Sequence, residues 1–529
     1  MKRLQKSTQS RHCNYLTYRI VNVVLSLRNK HLFYYEGLSF KYVLKRRIYV
    51  LKKLAKDYLK PKIALPVVLA ITTLAAPVLL ATQNWDDHDR SNRYTANSMG
   101  KMYLDSCDEN AILFTIGDND TFALWYAQNI EGYRQDVRVV NTSLFQTAWY
   151  IDDMKKKAFD SDPIPSQLTH DKYTFGTREY IVFQPTQQDT IDIKTWMNWV
   201  ASDNPATKVE LNSGRFANTF PSKVIRVPVD KEAVLRNGIV PQKDADKIVP
   251  YIDIKLSGDV LYKSSMMMLD IIANNDWERP IHFSGGSFGD DDYIWMKDYL
   301  QLQGTTYKLV PIRTPVDPRN PFDMGRIDSE KMYDIVMNWD WGNSGSDDIY
   351  HDTETRRNGI TYRSNLARLA ETLMNEGKNE KAEKVLDLGM EKMPVKYFEY
   401  YSLLEPFVLG YYELGKPEKA RAIYEDVTTI FQEHLSYYSG MKVKRQYPIA
   451  EEIISDMERY RSLVDIAIVY DEEAFARAEA AKFNDYLKLF RHFYSPDENL
   501  DVDSKLEAED SLPMLPDTIV EDGTEVGLE

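Results

Sequence analysis

Side chains capable of chemistry gather where an apolar run stops. Asp118, Asn119 and Asp120 directly follow the run 111–116, and Asn141 ends a second apolar run. Two carboxylates with an amide between them offer oxygens that suit a hard cation. The same residue types also cap helices and shape turns, and we favour that interpretation. The sequence contains no His-x-x-x-His, Cys-x-x-Cys or calcium-loop spacing, so we predict no metal and no cofactor.

A second polar cluster contains Asp86, Asp87 and His88, close to Trp85 and Arg90. Carboxylates beside a histidine are suited to acid–base work or to binding a cation. The alternative is a hydrated, ion-paired collar between an apolar helix and the domain that follows it. We favour the collar and keep these three residues as candidate ligand-binding residues.

The elements that position the first cluster alternate between strand-like and helix-like runs. The pattern predicts strands at 111–116 and 137–141 and helices at 121–131 and 147–159. This order favours parallel strand pairing, and ligands of open α/β sheets bind beyond the carboxyl ends of the strands. We therefore expect Asn141 to lie beside Asp118 and Asp120. Later elements are predicted as strands at 180–183, 224–228 and 280–283 and as a helix at 261–274.

The charge of the chain is divided very unequally. Residues 1–62 carry 16 Lys/Arg and two acids, a net charge of +14, whereas the rest carries 50 Lys/Arg and 78 Asp/Glu, a net charge of −28. Between them, residues 63–82 form an uncharged apolar run, about the length of a transmembrane helix. The basic flank predicts a cytoplasmic N-terminus and a periplasmic bulk in a bacterial inner membrane, with the lipid bilayer as one partner. The acidic bulk argues against nucleic acid as a partner.

The C-terminal part has the pattern of helical repeats. The segment 376–382 (EGKNEKA) returns as 414–420 (LGKPEKA), an offset of 38 residues and close to the tetratricopeptide period. A further helix is predicted from 449 to about 494. Such arrays bind peptides or proteins, or they only pack against a neighbouring domain, and the sequence leaves both open.

The predicted fold class is an α/β extracytoplasmic domain followed by an all-α tetratricopeptide-like helical-repeat domain, anchored by one transmembrane helix. The predicted segments are a basic cytoplasmic end at 1–62, the span at 63–82, a periplasmic α/β domain at 83–345, the repeats at 355–495, and an acidic, disordered tail at 496–529.

Three short motifs resemble a known bacterial family. They are residues 83–90 (QNWDDHDR), 117–122 (GDNDTF) and 136–141 (DVRVVN). In combination they resemble the protein O-mannosyltransferase-like multi-pass membrane family, long catalogued as a domain of unknown function. The likeness covers only its last transmembrane helix and its C-terminal extracytoplasmic region, and Ala123 stands where that family is expected to have a proline.

The resemblance implies sugar transfer from a lipid-linked donor by a GT-C type enzyme. The catalytic carboxylate of such an enzyme belongs to the multi-pass part that this chain lacks, so no catalytic residue is carried over. We expect a part that is non-catalytic by itself and binds an acceptor protein or a partner membrane subunit. The alternatives are a metal-dependent enzyme that uses Asp118 and Asp120, or a pure tetratricopeptide-like scaffold.

Overall fold

The computed structural model describes residue 49 and residues 61–186, 188–211, 214–284, 295–316, 324–399 and 401–494. Nearly all of the predicted basic end, and the predicted acidic tail, lie outside the described residues. The chain divides into two compact units, Met1–Arg90 and Ser91–Glu529. The second unit contains every strand that the structure describes.

The first unit contains one long helix, α1 (Pro61–His88), which includes Pro66 and Pro77. It continues past the apolar run into the polar residues that end at His88. The anchoring part of the predicted fold class is wrong. Among the described residues, none of the helices combines the length and the apolar character that crossing a bilayer requires. The inner-membrane location inferred from that span stays a prediction.

The second unit is built on a six-stranded sheet with the strand order β13-β11-β12-β10-β1-β2. Strand β1 pairs in parallel with β2 on one side and with β10 on the other. The predicted parallel arrangement is therefore confirmed, while β12 pairs antiparallel to β10. The strands are β1 (Ile112–Thr115), β2 (Arg138–Asn141), β10 (Ile281–Ser284), β11 (Leu300–Gln303), β12 (Thr306–Leu309) and β13 (Arg326–Ile327).

Two smaller sheets complete the α/β region, with the orders β5-β6-β3-β9 and β4-β7-β8. Their strands are β3 (Tyr180–Phe183), β4 (Thr190–Asp192), β5 (Lys208–Glu210), β6 (Phe216–Phe220), β7 (Val224–Pro228), β8 (Tyr251–Lys255) and β9 (Val260–Tyr262). The helices of this region are α2 (Thr95–Asp105), α3 (Asp118–Glu131), α4 (Ala148–Met154), α5 (His170–Tyr173), α6 (Ile193–Ala201), α7 (Lys231–Arg236) and α8 (Lys263–Asn275).

The rest of the described chain is helical, so the predicted succession of an α/β region and a helical region is confirmed. The helices are α9 (Ser329–Met337), α10 (Thr353–Asn375), α11 (Asn379–Lys392), α12 (Val395–Phe398), α13 (Glu405–Glu413), α14 (Pro417–Ser439), α15 (Val443–Gln446), α16 (Ala450–Tyr470) and α17 (Glu473–Phe490). Gly377 and Gly415 take positive φ angles, +72° and +69°, at the two matching turns α10–α11 and α13–α14.

The prediction of one long helix from 449 to about 494 is wrong, because the chain turns at Asp471 between α16 and α17. The Asp471 carboxylate, with a side chain only 1% exposed, pairs with Arg421 of α14 and accepts a hydrogen bond from the Tyr412 hydroxyl. These bonds attach the turn between α16 and α17 to the preceding helical pair, α13–α14.

The α/β and helical regions share buried side chains. One hydrophobic cluster extends from Met99 to Phe490. At the contact, Asn365 of α10 donates to the Gly304 carbonyl over 2.9 Å. Tyr362 packs against Trp339 with ring centroids 5.6 Å apart. The helical region therefore packs on the α/β region, which was one of the two roles left open by the sequence.

The repeated alanines of the helical pairs provide a test of this packing. Ala382 and Ala420 have no exposed surface. We expect Ala382→Leu and Ala420→Leu each to lower the free energy of unfolding by about 1–3 kcal/mol, because the added carbons overpack the helix contacts. Ala478→Leu, on the exposed face of α17, should change it by less than about 0.5 kcal/mol. Urea unfolding followed by circular dichroism measures all three; equal midpoints would contradict the close packing.

Candidate functional site

The predicted site lies in the turn between β1 and α3. Asp120 is the third residue of α3, and its carboxylate reaches back over the turn. One oxygen, Oδ1, accepts from the Gly117 amide over 2.9 Å, and Oδ2 accepts from the Ile116 amide over 2.8 Å. The Ser284 hydroxyl of β10 donates to Oδ2 over 2.6 Å. Both oxygens of Asp120 are therefore occupied in fixing the turn and in joining it to the next strand.

Asn141 holds the same turn from the other side. Its amide nitrogen Nδ2 donates to Thr121 Oγ1 over 2.9 Å and to the Gly117 carbonyl over 3.2 Å. Its oxygen Oδ1 accepts from the Leu144 amide over 2.9 Å, which fixes the chain that follows β2. The structure thus brings Asp120 and Asn141 to one turn, as expected for the ends of two parallel neighbouring strands.

The other candidate residues do not join this arrangement. Asp118 and Asn119 are exposed on the first turn of α3. His88 bonds through Nδ1 to the Asn84 carbonyl within α1, over 2.9 Å. Asp86 and Asp87 lie in α1, and their side chains are outside the described part of the structure. In that described part, no group of three or more His, Cys, Asp or Glu side chains is placed to hold a metal ion.

A buried cluster of charged side chains, which the sequence did not indicate, lies against one face of the six-stranded sheet. Asp108, in the loop before β1, pairs with Lys308 of β12 over 2.7 Å and with Lys331 of α9. It also lies 3.3 Å from His282 Nε2 of β10. The side chains of His282 and Lys308 are at most 1% exposed. Three cationic or basic groups from three elements therefore converge on one carboxylate.

Burial and pairing act in opposite directions on these groups. Burial by itself raises the pKa of Asp108, but the His282 hydrogen bond and the Lys308 and Lys331 charges lower it well below its usual range. Burial is the main cause that lowers the pKa of Lys308 to about 8 and also lowers the pKa of His282. Burial thus favours the neutral form of His282. Because its ring has no exposed surface, a substrate has no access to it in this structure.

The charge cluster and the β1–α3 turn lie on one face of the sheet. His282 and Ser284 alternate with buried apolar residues along β10, so they point to the same side. Their partners on β12 are Lys308 and Thr306, and His282 Nδ1 lies 3.0 Å from Thr306 Oγ1. One polar row thus connects Asp108 to Asp120 across the sheet. A helical wheel or a strand pattern taken alone does not show this row, because its members come from distant parts of the chain.

A further buried carboxylate, Asp270 of α8, was also missed by the sequence. It has no exposed surface and accepts from the Gln167 amide over 3.4 Å and from Asn274 Nδ2 over 3.0 Å. The Ser166 hydroxyl also donates to it. Burial outweighs these hydrogen bonds and raises the pKa of Asp270 to about 6. The signal available in the sequence was one acid inside the Met-rich helix predicted at 261–274.

Residues 96–331 match the family model described as TMEM260-associated domain 2. TMEM260 is a protein O-mannosyltransferase. The matched region runs from α2 into α9 and includes the β1–α3 turn and the buried charge cluster. The match relates this region to an O-mannosyltransferase-like protein, in line with the resemblance of the short motifs. No curated protein and no solved structure matches the chain.

The two predicted carboxylates of the turn should differ in their effect on stability. We expect Asp120→Asn to lower the free energy of unfolding by about 1–3 kcal/mol. The asparagine side chain has one accepting oxygen in place of two, so either the Ile116 or the Gly117 amide, both partly buried, is left without an acceptor. Asp118→Asn changes an exposed side chain and should stay within about 0.5 kcal/mol. Urea unfolding of the two variants measures the difference. Equal losses for both would contradict the turn-fixing role of Asp120.

The raised pKa of Asp270 predicts a pH dependence. The folded protein holds the Asp270 proton up to about pH 6, whereas the unfolded chain loses it near pH 4. The contribution of Asp270 to the free energy of unfolding is therefore largest below about pH 4. It falls by up to about 3 kcal/mol as the pH rises through 6.

The difference in unfolding free energy between the native protein and the Asp270→Asn variant, measured from pH 4 to pH 8, isolates this contribution. The variant should gain relative stability as the pH rises. A difference that is constant across this range would show that Asp270 keeps an ordinary pKa.

Proposed function

We propose that the chain is a binding part of an O-mannosyltransferase-like protein system, without sugar transfer of its own. In this role it holds the acceptor protein or a partner membrane subunit. The observation that supports the proposal most directly is the match of residues 96–331 to TMEM260-associated domain 2. The matched region contains the elements that form the centre of the sheet, so the relation concerns the core of the folded unit.

The geometry of the β1–α3 turn supports a role without catalysis. A general acid or base must reach the proton that it transfers, and a metal ligand needs a free oxygen. Both oxygens of Asp120 are engaged by two backbone amides and by Ser284. Asp118 lies exposed on α3. The metal-dependent enzyme built on these two carboxylates therefore receives no support from their arrangement.

The helical region supports the binding part of the proposal. Helical pairs of this kind present extended surfaces to peptides and proteins. Here α10 packs on the α/β region through shared buried side chains, and α13–α14 stack on the α10–α11 pair. A partner held by the helices is thereby also held at a fixed place relative to the matched region.

Two measurements test the proposal. The purified full chain, incubated with mannose linked to a polyprenyl phosphate and with an acceptor protein, should show no transfer of mannose. In cells, deletion of the chain should lower O-mannosylation of secreted proteins, and the chain should co-purify with an acceptor or with a multi-pass glycosyltransferase.

The outcomes separate the three candidate roles. Transfer by the purified chain would refute the absence of catalysis, and its loss in Asp118→Asn would favour the metal-dependent enzyme. Co-purification of partners with unchanged O-mannosylation after deletion would leave only a scaffold that is unrelated to glycosylation.

A further inference from the structure

A cleft opens beside the edge of the sheet formed by β4, β7 and β8. Its volume is about 640 Å³. Strand β8 forms one wall, and residues 297–299 with Arg313 form the other. Backbone hydrogen bonds hold the second wall in place: the Val310 amide donates to the Tyr299 carbonyl over 2.8 Å, and the Thr314 amide donates to the Asp298 carbonyl over 2.6 Å.

The backbone of β8 offers hydrogen-bonding groups to this cleft. Strand β8 is at the edge of its sheet in the described structure and pairs only with β7. The ladder bonds to β7 use alternate residues, as shown by Leu256, whose amide bonds to Lys223, and by Pro250, whose carbonyl accepts from Val229. In an antiparallel pair the intervening residues point their backbone groups away from the partner strand. On β8 the residues whose backbone groups point away from β7 are Tyr251, Asp253 and Lys255.

The residue that precedes β8 with an outward amide, Val249, already has a partner in the second wall. The Val249 amide bonds to the Pro311 carbonyl over 3.0 Å, so the two walls are joined there. Further along, the backbone of Asp253 faces the Tyr299 hydroxyl and counteracts the rise that burial causes in the pKa of Tyr299. The walls are thus connected at Val249 and approach each other again at Asp253, while Tyr251 and Lys255 line the cleft with their outward backbone groups.

The side chains of the cleft carry an excess of positive charge. Lys255, Lys297 and Arg313 line it and are exposed. Within the described residues, none of the three is in an ion pair. Asp253 is already engaged, because Arg226 binds it through two hydrogen bonds of 2.8 Å. Among the described lining residues, Asp298 is then the one carboxylate left to balance the charges of Lys255, Lys297 and Arg313.

Aromatic surfaces lie among these charges. Tyr251 is 41% exposed, and the Arg226 guanidinium carbon lies over its ring, 3.7 Å from the ring centroid. Trp295 and Tyr299 are half-buried in the lining. Such rings provide contact area for apolar side chains at little cost in conformational entropy.

We propose that this cleft binds an extended, acidic peptide segment of another protein, which adds to β8 as a further strand. The outward backbone groups of Tyr251 and Lys255, together with the Asp253 carbonyl, pair with the peptide backbone. Acidic side chains of the peptide meet Lys255, Lys297 and Arg313, and their aliphatic carbons contact the aromatic rings. The inference rests on the proposed binding role and names the chemistry of the partner.

A glycan is the other ligand that aromatic rings and charged side chains suggest. The strand edge favours the peptide, because its donors and acceptors repeat at the spacing of a strand, about 6.6–7 Å for every second residue. Only another backbone in extended conformation pairs with such a series. A glycan would use the rings and the charges and leave the strand edge unpaired.

The test is fluorescence anisotropy with the purified full chain. The probe is a fluorescein-labelled peptide of about nine residues in which glutamate and valine alternate, and the comparison probe has lysine in place of glutamate. We expect saturable binding of the acidic probe and at least about tenfold weaker binding of the basic one. Equal binding of the two probes, or no binding of the acidic one, overturns the proposal.

Matched variants separate the backbone from the charge. Lys255→Ala removes the charge and keeps the outward amide, whereas Lys255→Pro removes both without breaking a bond to β7. We expect Lys255→Pro to bind the acidic probe at least about fivefold more weakly than Lys255→Ala. Equal affinities would show that the strand edge is not used.

Arg313→Glu tests the charge at a position away from the strand. It should weaken binding of the acidic probe at least about tenfold, whereas Lys444→Glu, an equal change of charge on exposed α15, should leave it unchanged. If Lys255→Pro does not fold, this pair still decides. Equal losses in both variants would overturn the proposal.

Two further outcomes identify a different occupant. Saturable binding of mannotriose measured by calorimetry, with no binding of the acidic peptide, replaces the peptide by a glycan. Binding that appears only after deletion of residues 496–529 shows that the acidic end of this chain fills the cleft. Either result overturns the proposal, whereas loss of peptide binding with intact co-purification of partners would leave the proposed function standing.

Discussion

The attraction between Asp108 and Lys308 is the interaction on which the matched region depends most. A lysine whose side chain is 1% exposed in the middle of a sheet is tolerated only when a carboxylate compensates the loss of its hydration. Asp108 supplies this charge and, through Lys331, ties α9 to the loop before β1. Removing one partner of such a buried pair costs about 3–5 kcal/mol, because the other charge stays behind unpaired.

The two ends of the central strands are held by opposite chemistry. At their carboxyl ends, Asp120 and Asn141 accept hydrogen bonds from backbone amides of the turns. At their amino ends, Arg138 and Arg279 donate to backbone carbonyls, including that of Asp162, to which both donate. Burial lowers the pKa of Arg279 to about 10, yet that guanidinium remains charged at pH 7. Side chains therefore satisfy the backbone groups of the turns and loops at both ends of these strands.

The sequence predicted those features that depend on neighbouring residues. Strands β3 and β7 have the predicted bounds, and the meeting of Asp120 with Asn141 follows from parallel pairing. The Asp108–Lys308 pair joins residues 200 positions apart, and a lysine in an alternating strand reads as a surface residue. The turn at Asp471 was missed for a similar reason, because Arg421, which pairs with Asp471, lies on another helix. The predicted membrane span was inferred from an apolar run and a charge gradient, which describe composition and not the folded chain.

The alternation that folds β8 also creates its open edge. Ile252, Ile254 and Leu256 are buried, and this fixes which residues of the strand face the core. With a period of two, the residues between them must carry both their side chains and their outward backbone groups away from the core and from β7. Edge strands with free backbone groups attract other strands without selection unless charges restrict them. In the proposed binding mode, Lys255, Lys297 and Arg313 repel basic strands and attract acidic ones, so the charges that restrict the edge also select the partner.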